Sequence, residues 1–332
     1  MKYSVGYLLV VILSAGTQSS NAQATRHDPT SPLIRLVHIA PNVQLEVLDW
    51  GGHGRPLVFL AGSANTAHMF DDFAPQFTDR FHVLGITRRG YGASSGTLPP
   101  NNVDTLVLDI RSVLDSLHFA SVVLLGHSFA GEEMTRFAEL NPARCAALIY
   151  IDAAYDRTAL STIIKDTPQP AGPPMRAADS ASPDALRAAI ARGAGVRVPK
   201  SEILATSRFD AIGRLVGSVT PDSLEGRLWE GIMTPRYDRV HCRSLGIYAV
   251  PDSAVDLMPY YTQLDSAGRA QADAFFNPIK EFAAKSETLF RQSGRNEVVE
   301  VHHSKHYVFL DRPTEVARAI RRFLGSRAAS SR

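Results

Sequence analysis

The 332-residue sequence has no dense basic run and almost no excess of either charge: 35 Lys plus Arg stand against 33 Asp plus Glu, a formal net charge of +2. A nucleic-acid surface needs clustered cations, so that partner class is excluded and a small-molecule substrate is expected instead. After the first two dozen residues no apolar run is long enough to cross a bilayer, which excludes a membrane span in the mature chain. No long internal repeat is visible. With 45% hydrophobic and 20% charged residues the chain is neither disordered nor fibrous, and it can bury a core as one large domain or one domain with an insertion.

What is present begins with a leader. Lys2 precedes an apolar run at residues 5–15, too short for a comfortable span, and Ser20-Asn21-Ala22 supplies the small residues of a cleavage site, so residues 1–22 read as a signal peptide. Export, periplasmic or secreted, is the expected localisation. An oxidising compartment would allow Cys145 and Cys242, the only cysteines, to form a disulfide, since each stands just ahead of a predicted strand.

Buried-strand patterns recur at residues 56–60, 82–86, 122–125, 147–151 and 245–250. Residues 44–50 alternate and predict an edge strand. Between the runs, Val103, Leu106, Val107, Ile110, Leu114 and Leu117 repeat at helical spacing, and a last helix is predicted over 313–324. Alternating strands and helices imply an α/β fold, with a parallel sheet covered on both faces. From about 155 to 241 the rhythm gives way to prolines and short amphipathic pieces, which predicts a helical cap inserted into a core of residues 33–154 and 242–325.

The chemistry gathers at Gly126-His127-Ser128-Phe129-Ala130, one residue short of the nucleophile-elbow signature G-x-S-x-G. It has the context that the signature demands, a buried strand before Ser128 and a plausible helix after it. A serine hydroxyl needs a base, and His306 is the candidate, in a loop that follows a strand and precedes the last helix. His302 and His303 lie beside it, but the segment is not a helix that would align them as metal ligands, so no metal is expected. His127 reads as packing at the elbow. The acid that orients the imidazole is expected at a strand end between Ser128 and His306. Asp252 leads, Asp152 is the rival, and Asp256 comes third. Backbone N–H groups of Phe129 and Ser63 are the expected oxyanion donors, with Asn65 shaping the loop. Met258, Tyr260 and Tyr261 are candidates to line the pocket or to pack against the cap.

The segments VLDWGG, LVFLAG, TRRGYGASSG, VVLLGHSFAG, IYAVPDS and HYVFLDRPTEVARAIRRFL together resemble the α/β-hydrolase superfamily, in its capped single-chain esterase, epoxide-hydrolase and C–C-hydrolase group. The resemblance implies an eight-stranded, mostly parallel sheet, with Ser128 as nucleophile, Asp252 as acid, His306 as base and no cofactor. Ala61-Gly62 stands where the family often has His-Gly. Ser128 argues against the epoxide-hydrolase and haloalkane-dehalogenase chemistries, which use Asp at the elbow. The expected function is an exported serine hydrolase acting on esters; the alternatives are a catalytically idle binding module, or perhydrolysis or lyase chemistry by the same triad.

Overall fold

The computed structural model describes residues 31–99, 103–294 and 296–325. The signal peptide assigned to residues 1–22 lies outside them. The first half of the chain forms β1 (Leu33–Ala40), β2 (Val43–Gly51), β3 (Pro56–Leu60), β4 (His82–Ile86), α1 (Val103–Ser116), β5 (Val122–His127), α2 (Ala130–Leu140) and β6 (Cys145–Ile151). A cap segment follows, with α3 (Leu160–Asp166), α4 (Pro183–Ala194), α5 (Lys200–Thr206), β7 (Ser207–Phe209), β8 (Leu215–Ser218) and α6 (Asp222–Glu230). The chain then returns through β9 (Arg243–Val250), α7 (Ala254–Leu257), α8 (Ser266–Gln292), β10 (Asn296–His302), α9 (Val308–Asp311) and α10 (Pro313–Gly325).

Eight strands make one sheet in the order β1-β2-β4-β3-β5-β6-β9-β10, with β1 and β2 antiparallel to their neighbours and the rest parallel. β3 shows why the inner strands lack alternation. Leu57 and Phe59 face one layer, with Phe70, Phe309 and Ile320, while Val58 and Leu60 face the other, with Ile110, Met134 and Phe137. Each face carries a helical layer, so both sets of side chains must be apolar.

The expected edge position of residues 44–50 is corrected: β1 pairs outside β2 and takes the edge, leaving Leu33, Ile34 and Leu36 exposed. The alternation in β2 has another cause. Glu46 is buried because its carboxylate accepts the Thr87 hydroxyl at 2.7 Å. Two further elements carried no clear sequence signal. The cap contains a short hairpin, β7 with β8, turned by Asp210 and Gly213 at φ +82°. The segment between β9 and β10 holds the 27-residue helix α8, with Pro278 inside it, packed against α3 of the cap.

Candidate active site

Ser128 sits between the end of β5 and the start of α2 in the left-handed region, at φ +53°. Backbone strain of this kind persists only where its surroundings hold it. Its N–H donates to the Ile151 carbonyl at 3.2 Å, and its carbonyl accepts the Arg157 guanidinium at 2.8 Å. Two glycines make room for the turn. A Cβ on Gly126 would come within 2.8 Å of both Met134 Sδ and Ala130 Cβ, and one on Gly131 would come within 2.0 Å of the Ala153 carbonyl oxygen. The methyl of Ala130 is therefore accommodated at the signature's last position, and the strict requirement for glycine falls on Gly131.

His306 Nε2 lies 2.9 Å from Ser128 Oγ, and His306 Nδ1 lies 2.6 Å from Asp152 Oδ2. A carboxylate only accepts, so the proton belongs on Nδ1, and Nε2 is left as the acceptor for the serine hydroxyl. Asp152 is 5% exposed. Its Oδ1 accepts the Ala249 N–H at 2.9 Å and the Tyr155 hydroxyl, so the carboxylate is fixed from both sides.

The sequence-based preference for Asp252 is corrected here. Pro251 carries the chain past the end of β9, and Asp252 is turned outward, where it accepts the His303 N–H at 3.1 Å and lies 3.2 Å from His303 Nδ1. That backbone hydrogen bond and the neighbouring imidazoles hold its carboxyl below the usual aspartate range. β6 and β9 are adjacent and parallel, so the acid that meets His306 has moved one strand across the sheet. Asp256 joins Asp252, donated to by the Asp252 N–H at 3.0 Å, and neither reaches His306.

His127 does more than pack. Its Nε2 donates to the His306 carbonyl at 3.0 Å, tying the base loop to the elbow, and burial holds the imidazole far below its ordinary pKa. The remaining Nδ1 is buried without a partner among the described residues.

The loop after β3 lies against the elbow, since a Cβ on Gly62 would sit 3.0 Å from Ser128 Cβ. Arg88 draws the carbonyls of Ala61 and Gly62 toward itself at 2.8 and 3.2 Å, and is paired in turn with Glu133 at 2.5 Å. In a trans peptide the N–H opposes the C=O, so the Ser63 N–H points away from Arg88. Phe129 is the N-cap of α2, where N–H groups are unpaired by the helix.

The cap reaches this loop twice. Glu225 of α6 accepts the hydroxyls of Ser63 and Tyr91, both at 3.0 Å, while Trp229 Nε1 donates to Ser63 Oγ at 3.0 Å. Burial raises the Glu225 carboxyl. Glu202 of α5 accepts the Thr66 N–H and the Asn65 amide, both at 3.1 Å, and the Thr66 hydroxyl at 2.5 Å. Burial pushes its carboxyl up to about 7. None of Arg88, Arg157, Glu202 and Glu225 was singled out by sequence. Arg88 lies within TRRGYG, but a charge in a motif does not disclose a backbone carbonyl as its partner.

A cavity of about 800 Å³ opens over Ser128, Asp152 and His306 and is bounded by α3, α8 and Trp229. Met258, Tyr260 and Tyr261 do not line it, which corrects that expectation. Met258 and Tyr260 are buried one layer behind the wall against Phe275, with the Tyr260 hydroxyl donating to the Pro170 carbonyl, and Tyr261 donates to Asp273 on the outside. The Sγ atoms of Cys145, at the start of β6, and Cys242, just ahead of β9, lie 2.8 Å apart. No helix among the described residues is long and apolar enough to cross a membrane.

A family model described as "Alpha/beta hydrolase family" matches residues 57–319. The sn-1-specific diacylglycerol lipase ABHD11 of Danio rerio is 26% identical over 209 residues, which cover 60% of this chain and 64% of that protein. A non-heme chloroperoxidase of Streptomyces lividans is 29% identical over 146 residues, 43% of this chain and 49% of the other. The chain thus spans less than two thirds of the length of these relatives. Among solved structures, E-2-(acetamidomethylene)succinate hydrolase superposes with a TM-score of 0.66 at 18% identity, covering 89% of this chain and all of that one. A membrane phospholipase A, a bacterial virulence factor, gives 0.56 at 15% identity, over 90% of this chain and 87% of that one. At such identities the likeness is one of fold.

Proposed function

The chain belongs to the alpha/beta hydrolase family, and we propose that within it this protein is a serine hydrolase that cleaves carboxylic esters, or related acyl bonds, through an acyl-enzyme. The observation that carries the reading is the unbroken line from Ser128 Oγ through the His306 ring to Asp152, at 2.9 and 2.6 Å. His306 Nε2 takes the serine proton as Oγ attacks the carbonyl, and Asp152 stabilises the imidazolium that results. The N–H groups of Ser63 and Phe129 receive the oxyanion, each such donor contributing on the order of 10²–10³ in rate. The imidazolium then protonates the leaving alcohol, and water, deprotonated by His306, releases the acid. No step calls for a cofactor.

Ser128→Ala tests the reading. It should abolish turnover of p-nitrophenyl acetate and labelling by a fluorophosphonate, with the circular-dichroism spectrum unchanged. Undiminished turnover in that variant would refute it. The chloroperoxidase relatives favour one second reading, in which hydrogen peroxide replaces water at the acyl-enzyme and leaves as a peracid. Bromide oxidation that requires acetate, peroxide and Ser128 together would support it. We further propose that the protein is exported by way of residues 1–22, and that Cys145 and Cys242 pair once it is.

A further inference from the structure

We propose that the ester accepted by this site carries an extended, unbranched apolar chain, laid along α8 in the space left open at the end of β9. The inference rests on the serine-hydrolase reading above. It starts from the displaced acid. With Asp152 at the end of β6 and Asp252 turned out to solvent, β9 ends toward the cavity in Ala249, Val250 and Pro251. Beyond them α8 presents Phe275, Ile279, Phe282 and Ala283. These positions fall on one helical stripe, roughly 12 Å long at 1.5 Å per residue, a length that suits a medium-chain acyl or alkyl group. Leu160 and Ile164, four residues apart on α3, line the same cavity.

The two tyrosine hydroxyls along this arm are already occupied, and Lys165 and Lys280, which share the lining, are exposed. The Tyr155 hydroxyl donates to Asp152, and the Tyr248 hydroxyl donates to the Ala154 carbonyl at 2.8 Å. What these tyrosines offer the cavity is ring surface, and Phe282 stacks on Tyr155 with centroids 5.5 Å apart and planes at 18°. An apolar wall of this kind rewards each added methylene by up to about fourfold in affinity.

Two ester series test this on the full-length protein: p-nitrophenyl acetate, butyrate, octanoate and dodecanoate, and linear alkyl acetates from ethyl to dodecyl. The first lengthens the acyl side and the second the alcohol side. The expected result is a rise in kcat/KM of at least tenfold from the shortest to a medium-chain member in one series. Ile279→Trp, and separately the milder Ala283→Leu, should then cut the medium-to-short ratio at least tenfold and severalfold respectively. Leu289→Trp, on the exposed side of α8, should leave the ratio where it was. A flat or falling profile in both series, a preference for compact naphthyl acetate, or a ratio that neither cavity variant moves would overturn the inference while fluorophosphonate labelling of Ser128 kept the hydrolase reading intact. Absence of both labelling and turnover would bring the two down together.

Discussion

Asp152 Oδ2 stands 2.6 Å from His306 Nδ1, although the two residues are separated by 154 positions and by a cap-bearing excursion from the sheet. Asp152→Asn should leave the ring in the wrong tautomer and lower kcat by on the order of 10³–10⁴. Asp252→Asn, which only loosens an exposed contact to His303, should stay within about twofold of wild type, because exposed ion contacts contribute little. Steady-state kinetics on the two variants decide between the strand ends, and a large loss in Asp252→Asn would reverse the assignment.

Arg157 and Glu132 form a buried pair at 3.2 Å behind the elbow, 4% and 3% exposed at their side chains. Arg157→Met strips Glu132 of its cation and Ser128 of a donor to its carbonyl. A loss of about 3–5 kcal/mol in urea unfolding is expected. Adding Glu132→Leu should recover part of that loss, because the second change removes the stranded charge. Simple additivity of the two variants would argue against the pair.

Glu202 sets a pH dependence. Its folded carboxyl titrates near 7 and its unfolded one near 4.5, so between those values the folded state holds the extra proton. Stability from this group is therefore full at the acid end and is lost as pH rises through the window, by up to about 3 kcal/mol. His68 acts in a higher range. Burial alone would lower it, but the hydrogen bond to Asp71 and the Glu46 carboxylate 3.6 Å away hold it up at about 10, so its contribution fades only above 6.5. Denaturant midpoints measured from pH 4.5 to 6.5 should fall in wild type and fall less steeply in Glu202→Gln, where the other buried carboxyls, Glu225 among them, still contribute; parallel slopes would count against Glu202.

Cys145 and Cys242 enclose the whole cap between them. Protein purified without reductant should show no free thiol by Ellman titration. Reduction, or Cys145→Ala with Cys242→Ala, should lower stability by about 2–4 kcal/mol, as expected for a bridge closing a long loop. Two titratable thiols in the unreduced, unfolded protein would refute the pairing.

Much of the sheet was legible because burial on both faces forces continuous apolar runs, as in VVLLG before Ser128. Ser128 and His306 were legible for a related reason: each follows a strand and precedes a helix. The acid was not. Asp152 and Asp252 both end buried strands and both lie between the serine and the histidine in the chain. What separates them is a positive φ of 46° at Asp152 and the Ala249 N–H waiting across the sheet. Neither leaves a mark in composition or spacing. β1 was missed because its apolar side chains are largely exposed, and α8 because its buried stripe is narrow over so long a helix.

Glu202 and Glu225 reach from the cap into the loop that carries Ser63, Asn65 and Thr66. Grafting a foreign cap onto this core would strand those donors, so the cap and this loop cannot be exchanged as separate parts. Divergence in what the protein accepts has an easier route through the apolar positions of α3 and α8 that face the cavity, Leu160, Ile164, Ile279 and Ala283, which carry no such obligations to the loop.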